Sequence, residues 1–202
     1  MEPFETYILK RILVQVGGVI AIAAILGVFI LAYNATYNNI SNLDQAADGR
    51  WTRLGNDLQE RYQGIPGLAG EIRPSLGPDT SALDELLKNM SRWDSAVGGG
   101  DTGQISLATT DLEASLSSFV SDLKGHPELE GSDRVQEFLG VLESTGARAS
   151  DDEAGYNEEV QQYNQAISTF PGALWAPDWG FGEREYFTAR IGNGEQIPVP
   201  PG

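Results

Sequence analysis

The sequence predicts an all-α protein: a single N-terminal transmembrane helix, then an antiparallel bundle of three to four long helices with an irregular aromatic C-terminal tail. Three observations carry that prediction. Residues Ile12–Tyr33 form an uncharged apolar run. From Ile40 to Phe170 the large apolar residues recur at steps of three and four, the spacing of one buried helix face. No β pattern appears anywhere in the chain.

The apolar run comes first. As a helix its 22 residues measure about 33 Å, enough to cross a hydrocarbon core of roughly 30 Å. Gln15 is its one strongly polar side chain. Lys10 and Arg11 abut the run on the N-terminal side, whereas the first basic residue beyond Tyr33 is Arg50. The positive-inside rule therefore places the N-terminus in the cytoplasm and the body outside it. A Lys-Arg pair before an apolar run also fits a cleaved signal peptide, but this run is longer than the usual h-region of about 7–15 residues. Either way the body is exported.

Past the membrane, Ile40, Leu43, Ala47, Trp51, Leu54 and Leu58, then Ile65, Leu68 and Ile72, mark one stripe. Nothing between Tyr33 and Ile40 breaks a helix, so the anchor is expected to run on into the bundle. Pro66 should kink or end it. After the break at Arg73–Pro78, Ser81 with Asp84 resembles a capping box, opening a helix with Leu83, Leu86, Met90, Trp93 and Val97 inside. Gly98–Gly103 reads as a flexible link. A third helix carries Ile105, Leu112, Leu116, Phe119 and Leu123 and ends before Gly125-His126-Pro127.

The longest soluble helix is expected from about Asp133 to Phe170, on Val135, Phe138, Leu142, Thr145, Ala149, Tyr156, Val160, Tyr163, Ile167 and Phe170, a near-heptad series. At Ser150–Glu153 an inner position turns acidic. Pro171 ends the helix. The tail beyond it holds Trp175, Trp179, Phe181, Tyr186 and Phe187, too many large rings to leave in water, so it is expected to fold back along the bundle.

Charge and composition bound the partners. The net charge of −16 falls entirely after Tyr33, because the acids and bases before it cancel. Such a body repels nucleic acid and anionic headgroups. Its poverty in lysine suits a high-salt environment and equally an ordinary acidic secreted domain. With no cysteine there is no disulfide and no thiol chemistry.

Tyr37-Asn38, Gln45, Trp51, Leu58–Arg61 and Ile65-Pro66-Gly67-Leu68 are similar to the N-terminal signature of the LemA family. Tyr156-Asn157, Tyr163-Asn164, Ile167, Phe170-Pro171, Gly180-Phe181 and Tyr186-Phe187 resemble its C-terminal signature. The resemblance spans most of residues 37–187. It implies a short cytoplasmic N-terminus, one transmembrane helix and an extracytoplasmic helical bundle. The expected division is residues 1–11 in the cytoplasm, 12–33 in the membrane, 34–191 as a LemA-like bundle with a docked tail, and 192–202 disordered.

Candidate interaction or bundle-signature residues are Tyr37, Asn38, Trp51, Arg61, Pro66, Tyr156, Asn157, Tyr163, Asn164, Phe170, Pro171, Phe181, Tyr186 and Phe187. Each Tyr-Asn pair repeats after seven residues, so one face receives both. The rings are expected to pack inward with each Asn bonding a neighbouring helix or the tail; a partner-facing groove is the alternative. No catalytic, cofactor or metal site is expected. His126 is the only histidine, and it sits in a turn. Asp151, Asp152, Glu153, Glu158 and Glu159 lack the spacing of a calcium loop. Asn34, Asn39 and Asn89 begin glycosylation sequons. The function expected is a membrane-anchored scaffold or adaptor for envelope proteins, without catalysis; a small-ligand sensor signalling through a partner is the alternative. Partners are then the lipid bilayer, through residues 12–33, and other membrane or envelope proteins, with no nucleic acid.

Overall fold

A computed structural model describes residues 2–126, 129 and 131–192, and all regular structure among them is helical. Helix α1, Glu2–Tyr62, carries the apolar run and the first core stripe in one piece. No proline interrupts it between Pro3 and Pro66. Helix α2, Ile65–Ile72, then begins with Pro66 in its first turn, where the missing N–H has no helical partner to lose. A 3-10 turn, Arg73–Ser75, leads to α3, Ser81–Gly99, α4, Thr102–Leu123, and α5, Asp133–Ser168; a single turn, α6, Gly172–Trp175, closes the series. The expected disorder of the last stretch falls, from residue 193 on, outside the described residues.

Several local expectations are corrected. Ser81 is not the acceptor of a capping box: Asp79 takes the Ser81 N–H at 3.1 Å, while Thr80 and Arg73 hold Asp84 at 2.8 and 2.7 Å. The glycine-rich link shrinks to two residues. Helix α3 persists to Gly99, Gly100 caps it at φ +75°, a conformation that only glycine adopts cheaply, and Asp101 accepts the Gln104 N–H at 2.7 Å to open α4. Val97 and Phe170 are exposed at 43 % and 81 %, so neither stripe reaches its last expected member. Val97 lies in the final turn of its helix and Phe170 just beyond a helix end.

The chain divides into two compact units, Met1–Asn42 with Ala166–Gly182, and Leu43–Gln165 with Glu183–Gly202. In the first, α6 and the turns after it lie along α1. Trp175 meets Phe29 and Tyr33, Trp179 meets Tyr33 and Tyr37, and Phe181 meets Tyr37, at ring separations of 4.8–5.8 Å. Phe29, Tyr33 and Tyr37 lie four residues apart, on one ridge of the helix. Gly172 packs where a Cβ would overlap the Ala166 carbonyl and crowd Ile40. Only glycine fits there.

In the second unit one core joins residues of α1 to α5 with the tail residues Phe187, Ala189 and Ile191. Contacts between α1 and α5 pair Arg50 with Asp152, Asp57 with Arg148 and Arg61 with Thr145, so the two run antiparallel. The α3–α4 hairpin is antiparallel too: Trp93 Nε1–H donates to Thr109 Oγ1 at 3.1 Å, and Asn89 faces the Asp111 carbonyl. The buried stripes follow the three-and-four spacing, and Trp93 and Phe119, among the largest fully buried side chains, anchor the hairpin.

Candidate functional site

The polar side chains of the second unit converge on the tail. Asn164 donates to the Arg184 carbonyl at 2.8 Å and accepts the Arg184 N–H at 2.9 Å. Asn157, one heptad earlier, does the same to Phe187, at 2.6 and 2.9 Å. Each carboxamide thus satisfies both backbone groups of one tail residue, as a neighbouring strand would. The seven-residue spacing has a metrical cause. Two turns of helix advance about 10.5 Å, and three residues of extended chain advance about 10 Å, so 164 meets 184 and 157 meets 187 in step.

The same register continues. Successive N–H groups of an extended chain point to opposite sides, and here they do: Phe187 to Asn157 on α5, Thr188 to Ser106 on α4 at 2.8 Å, and Ala189 to Glu153 on α5. Gly192 N–H then reaches Glu113 on α4 at 2.9 Å. Tyr156 donates to the Glu185 carbonyl at 3.0 Å, and its ring packs 5.1 Å from Trp51. Arg184 bridges Asp44 and Asp48, one turn apart on α1, and lies over the Tyr163 ring. The tail is a strap held in the seam between α4 and α5.

Glu153 departs from the pattern. It is 2 % exposed, and one of its oxygens, Oε1, is the one buried side-chain polar atom among the described residues without a partner. Burial, opposed only by the Ala189 N–H, pushes its carboxyl up to about 8. At neutral pH it is largely protonated and keeps a hydrogen to donate.

A second buried cluster lies at the C-terminal end of α1. Arg61 pairs with Glu113 through Nε at 2.5 Å and through a second nitrogen at 3.0 Å, and also donates to the Leu142 carbonyl at 2.6 Å and to Thr145. Tyr62 OH donates to the same carboxylate at 2.7 Å. Burial, and then the adjacent Glu113 charge, hold the Tyr62 hydroxyl well above its usual range. For Arg61 burial acts downward but the Glu113 carboxylate outweighs it, and the net direction is up. The pair is bidentate and fully hydrogen-bonded, the condition under which a buried ion pair is tolerated. Beside it opens a cleft of about 750 Å³ whose walls include Leu116, Val120, Lys124, Leu139 and Glu143.

The predicted residues therefore separate. Trp51, Tyr156, Asn157, Tyr163, Asn164, Tyr186 and Phe187 meet at or under the strap. Tyr37 and Phe181 meet in the first unit. Arg61 belongs to the Glu113 cluster and Pro66 to the start of α2, while Pro171 follows a cis bond and Asn38 and Phe170 are exposed. Sequence reasoning missed Glu113, Ser106, Glu185 and Arg184. It also denied the tail any alternation, although Phe187, Ala189 and Ile191 are buried and Arg190 is exposed, a period of two legible in Phe-Thr-Ala-Arg-Ile. No three His, Cys, Asp or Glu side chains converge as a metal site among the described residues. Asp152 instead faces Arg50 and Arg53.

No curated protein matches this chain. The model of the LemA family matches residues 50–199, a span that takes in the end of the α1 core stripe from Trp51, the twin Tyr-Asn pairs and the strap they hold, and the chain belongs to the LemA family.

Proposed function

We propose that the protein is a membrane-anchored, extracytoplasmic scaffold or adaptor for envelope proteins, working without catalysis. The observation that supports this best is the continuity of α1. By length and composition α1 can cross a membrane, and the same unbroken helix supplies Ala47, Leu54, Leu58 and Tyr62 to the bundle core. An anchored bundle of this kind offers helical surface to neighbours at the membrane and needs no reacting group. Antiparallel packing of the long helices and a cytoplasmic N-terminus complete the reading. Affinity capture of the full chain from detergent-solubilised membranes, with mass spectrometry of what is captured, is the test. A stoichiometric envelope protein, retained through washing, is expected; recovery of the chain alone at native expression would overturn the reading.

A second reading is favoured by the cleft beside Arg61 and Glu113. Its size suits a small ligand, and Lys124 with Glu143 at its walls provides both signs of charge. A sensor of this kind would signal through a partner. Native mass spectrometry distinguishes the two: a bound small molecule, lost on Lys124→Ala, favours the sensor.

A further inference from the structure

The first unit holds a feature that the scaffold reading does not use. The chain descends α1 after α5 ends and then climbs back. Gly172 lies against Ile40, Trp175 against Phe29 and Tyr33, Trp179 against Tyr33 and Tyr37, and Phe181 against Tyr37. The lowest point is Trp175, whose ring meets Phe29 edge-on at 5.5 Å. Phe29 is four residues inside the apolar run, about 6 Å below its end at Tyr33. Leu174, beside Trp175, is 60 % exposed, as are Phe29 and Ile30 at 55 % and 58 %.

We propose that residues 172–181 form an interfacial hook that dips Leu174 and Trp175 into the outer-leaflet boundary between headgroups and acyl chains. The inference rests on the reading of residues 12–33 as the membrane span. The occupant of the exposed face is lipid because the hook continues a surface that is itself lipid-facing on that reading. The chemistry of the turn agrees. Trp179 Nε1–H donates to Tyr33 OH at 2.6 Å, and its ring packs between Tyr33 and Tyr37, so two amphipathic side chains pair at the end of the apolar run, the level such rings favour at a membrane interface. Asn34 and Thr36 fold back to the Ile30 and Ala32 carbonyls at 2.8 Å each, hiding their polarity within the helix at the same level. Asp178 is exposed and belongs at headgroup level, which limits how deep the hook can sit. Residues 166–182 contain no basic side chain, so insertion depends on apolar burial and not on lipid charge.

The chain contains no cysteine, so a single introduced thiol can be spin-labelled cleanly. The full-length protein is reconstituted into phosphatidylcholine vesicles with the label at Leu174→Cys, at Phe29→Cys in the span, or at Leu107→Cys, which is 64 % exposed on α4. Collisions with oxygen, which partitions into lipid, are compared with those of a water-soluble nickel chelate. All three positions are exposed, and far-ultraviolet circular dichroism checks that each variant keeps its helices. The expected result is that Leu174→Cys sides with Phe29→Cys, favouring oxygen over nickel several-fold relative to Leu107→Cys, unchanged in molar salt. If Leu174→Cys matches Leu107→Cys while Phe29→Cys favours oxygen, the hook is overturned and the span stands. If Phe29→Cys is also open to nickel, the spanning reading fails and the hook falls with it.

Discussion

Glu153 faces the strap from α5 at a place that an amide would fill, and the difference is a proton. The native state holds that proton up to about pH 8, whereas an unfolded chain releases it near 4.5. Between those values unfolding sheds a proton, so rising pH favours unfolding. Stability from this group is complete below about 4.5, declines by at most about 1.4 kcal/mol per pH unit, and is flat above 8. Glu153→Gln should remove that segment of the pH profile and match or exceed the parent at neutral pH, measured by chemical denaturation of the full chain in detergent. A parallel pair of profiles would show that the carboxyl is already ionised. The carboxamides answer to a different cost. Asn157→Ala leaves the Phe187 N–H and carbonyl buried without partners, a loss of about 3 kcal/mol. Asn164→Ala, at a half-buried site where water can substitute, should cost about half as much. Equal losses in the two denaturation midpoints would count against burial as the deciding factor.

At the scale of elements, the tail is two structures in sequence. Residues 172–181 are an aromatic turn on α1, and residues 183–192 are an extended strap with its own alternation. Phe187 is fully buried against Trp51, so Phe187→Ala should cost roughly 3–5 kcal/mol. Phe181 is only half-buried beside Tyr37 and Trp179, and Phe181→Ala should cost well under half of that. Thermal melts of the two variants decide the matter; comparable drops would mean that the aromatic turn carries as much of the packing as the strap. The element boundaries legible in advance were those with a chemical stop: Pro66, the Arg73–Pro78 break, Gly125 and Pro171. The α3–α4 junction was not among them. A run of glycines reads as slack, yet helical hydrogen bonding continued to Gly99 once Leu86, Met90 and Trp93 were packed beneath it.

For the whole molecule the charge flanking the apolar run carries a prediction of orientation. Lys10 and Arg11 should stay in the cytoplasm, so protease added to intact spheroplasts should digest the body beyond Asn34 and spare an N-terminal tag. Digestion of the tag with survival of the body would reverse the topology; a mature protein lacking residues 1–35 would identify a cleaved signal.

Helical class, the uninterrupted α1 and the family were determined by the sequence alone, because apolar period, an uncharged run and the series of Tyr-Asn, Phe-Pro and Tyr-Phe pairs are local quantities. That each Asn of the twin pairs would bond a neighbouring helix or the tail was legible too; tertiary structure decided which residues they and the other polar side chains meet. That Asn157 and Asn164 grip Phe187 and Arg184, and that Arg61 closes on Glu113, depends on partners 20 to 52 residues away. A hydrogen bond needs its donor and acceptor within about 3 Å, and only packing brings such distant groups together; a side chain's hydrophobicity is the same wherever the chain takes it.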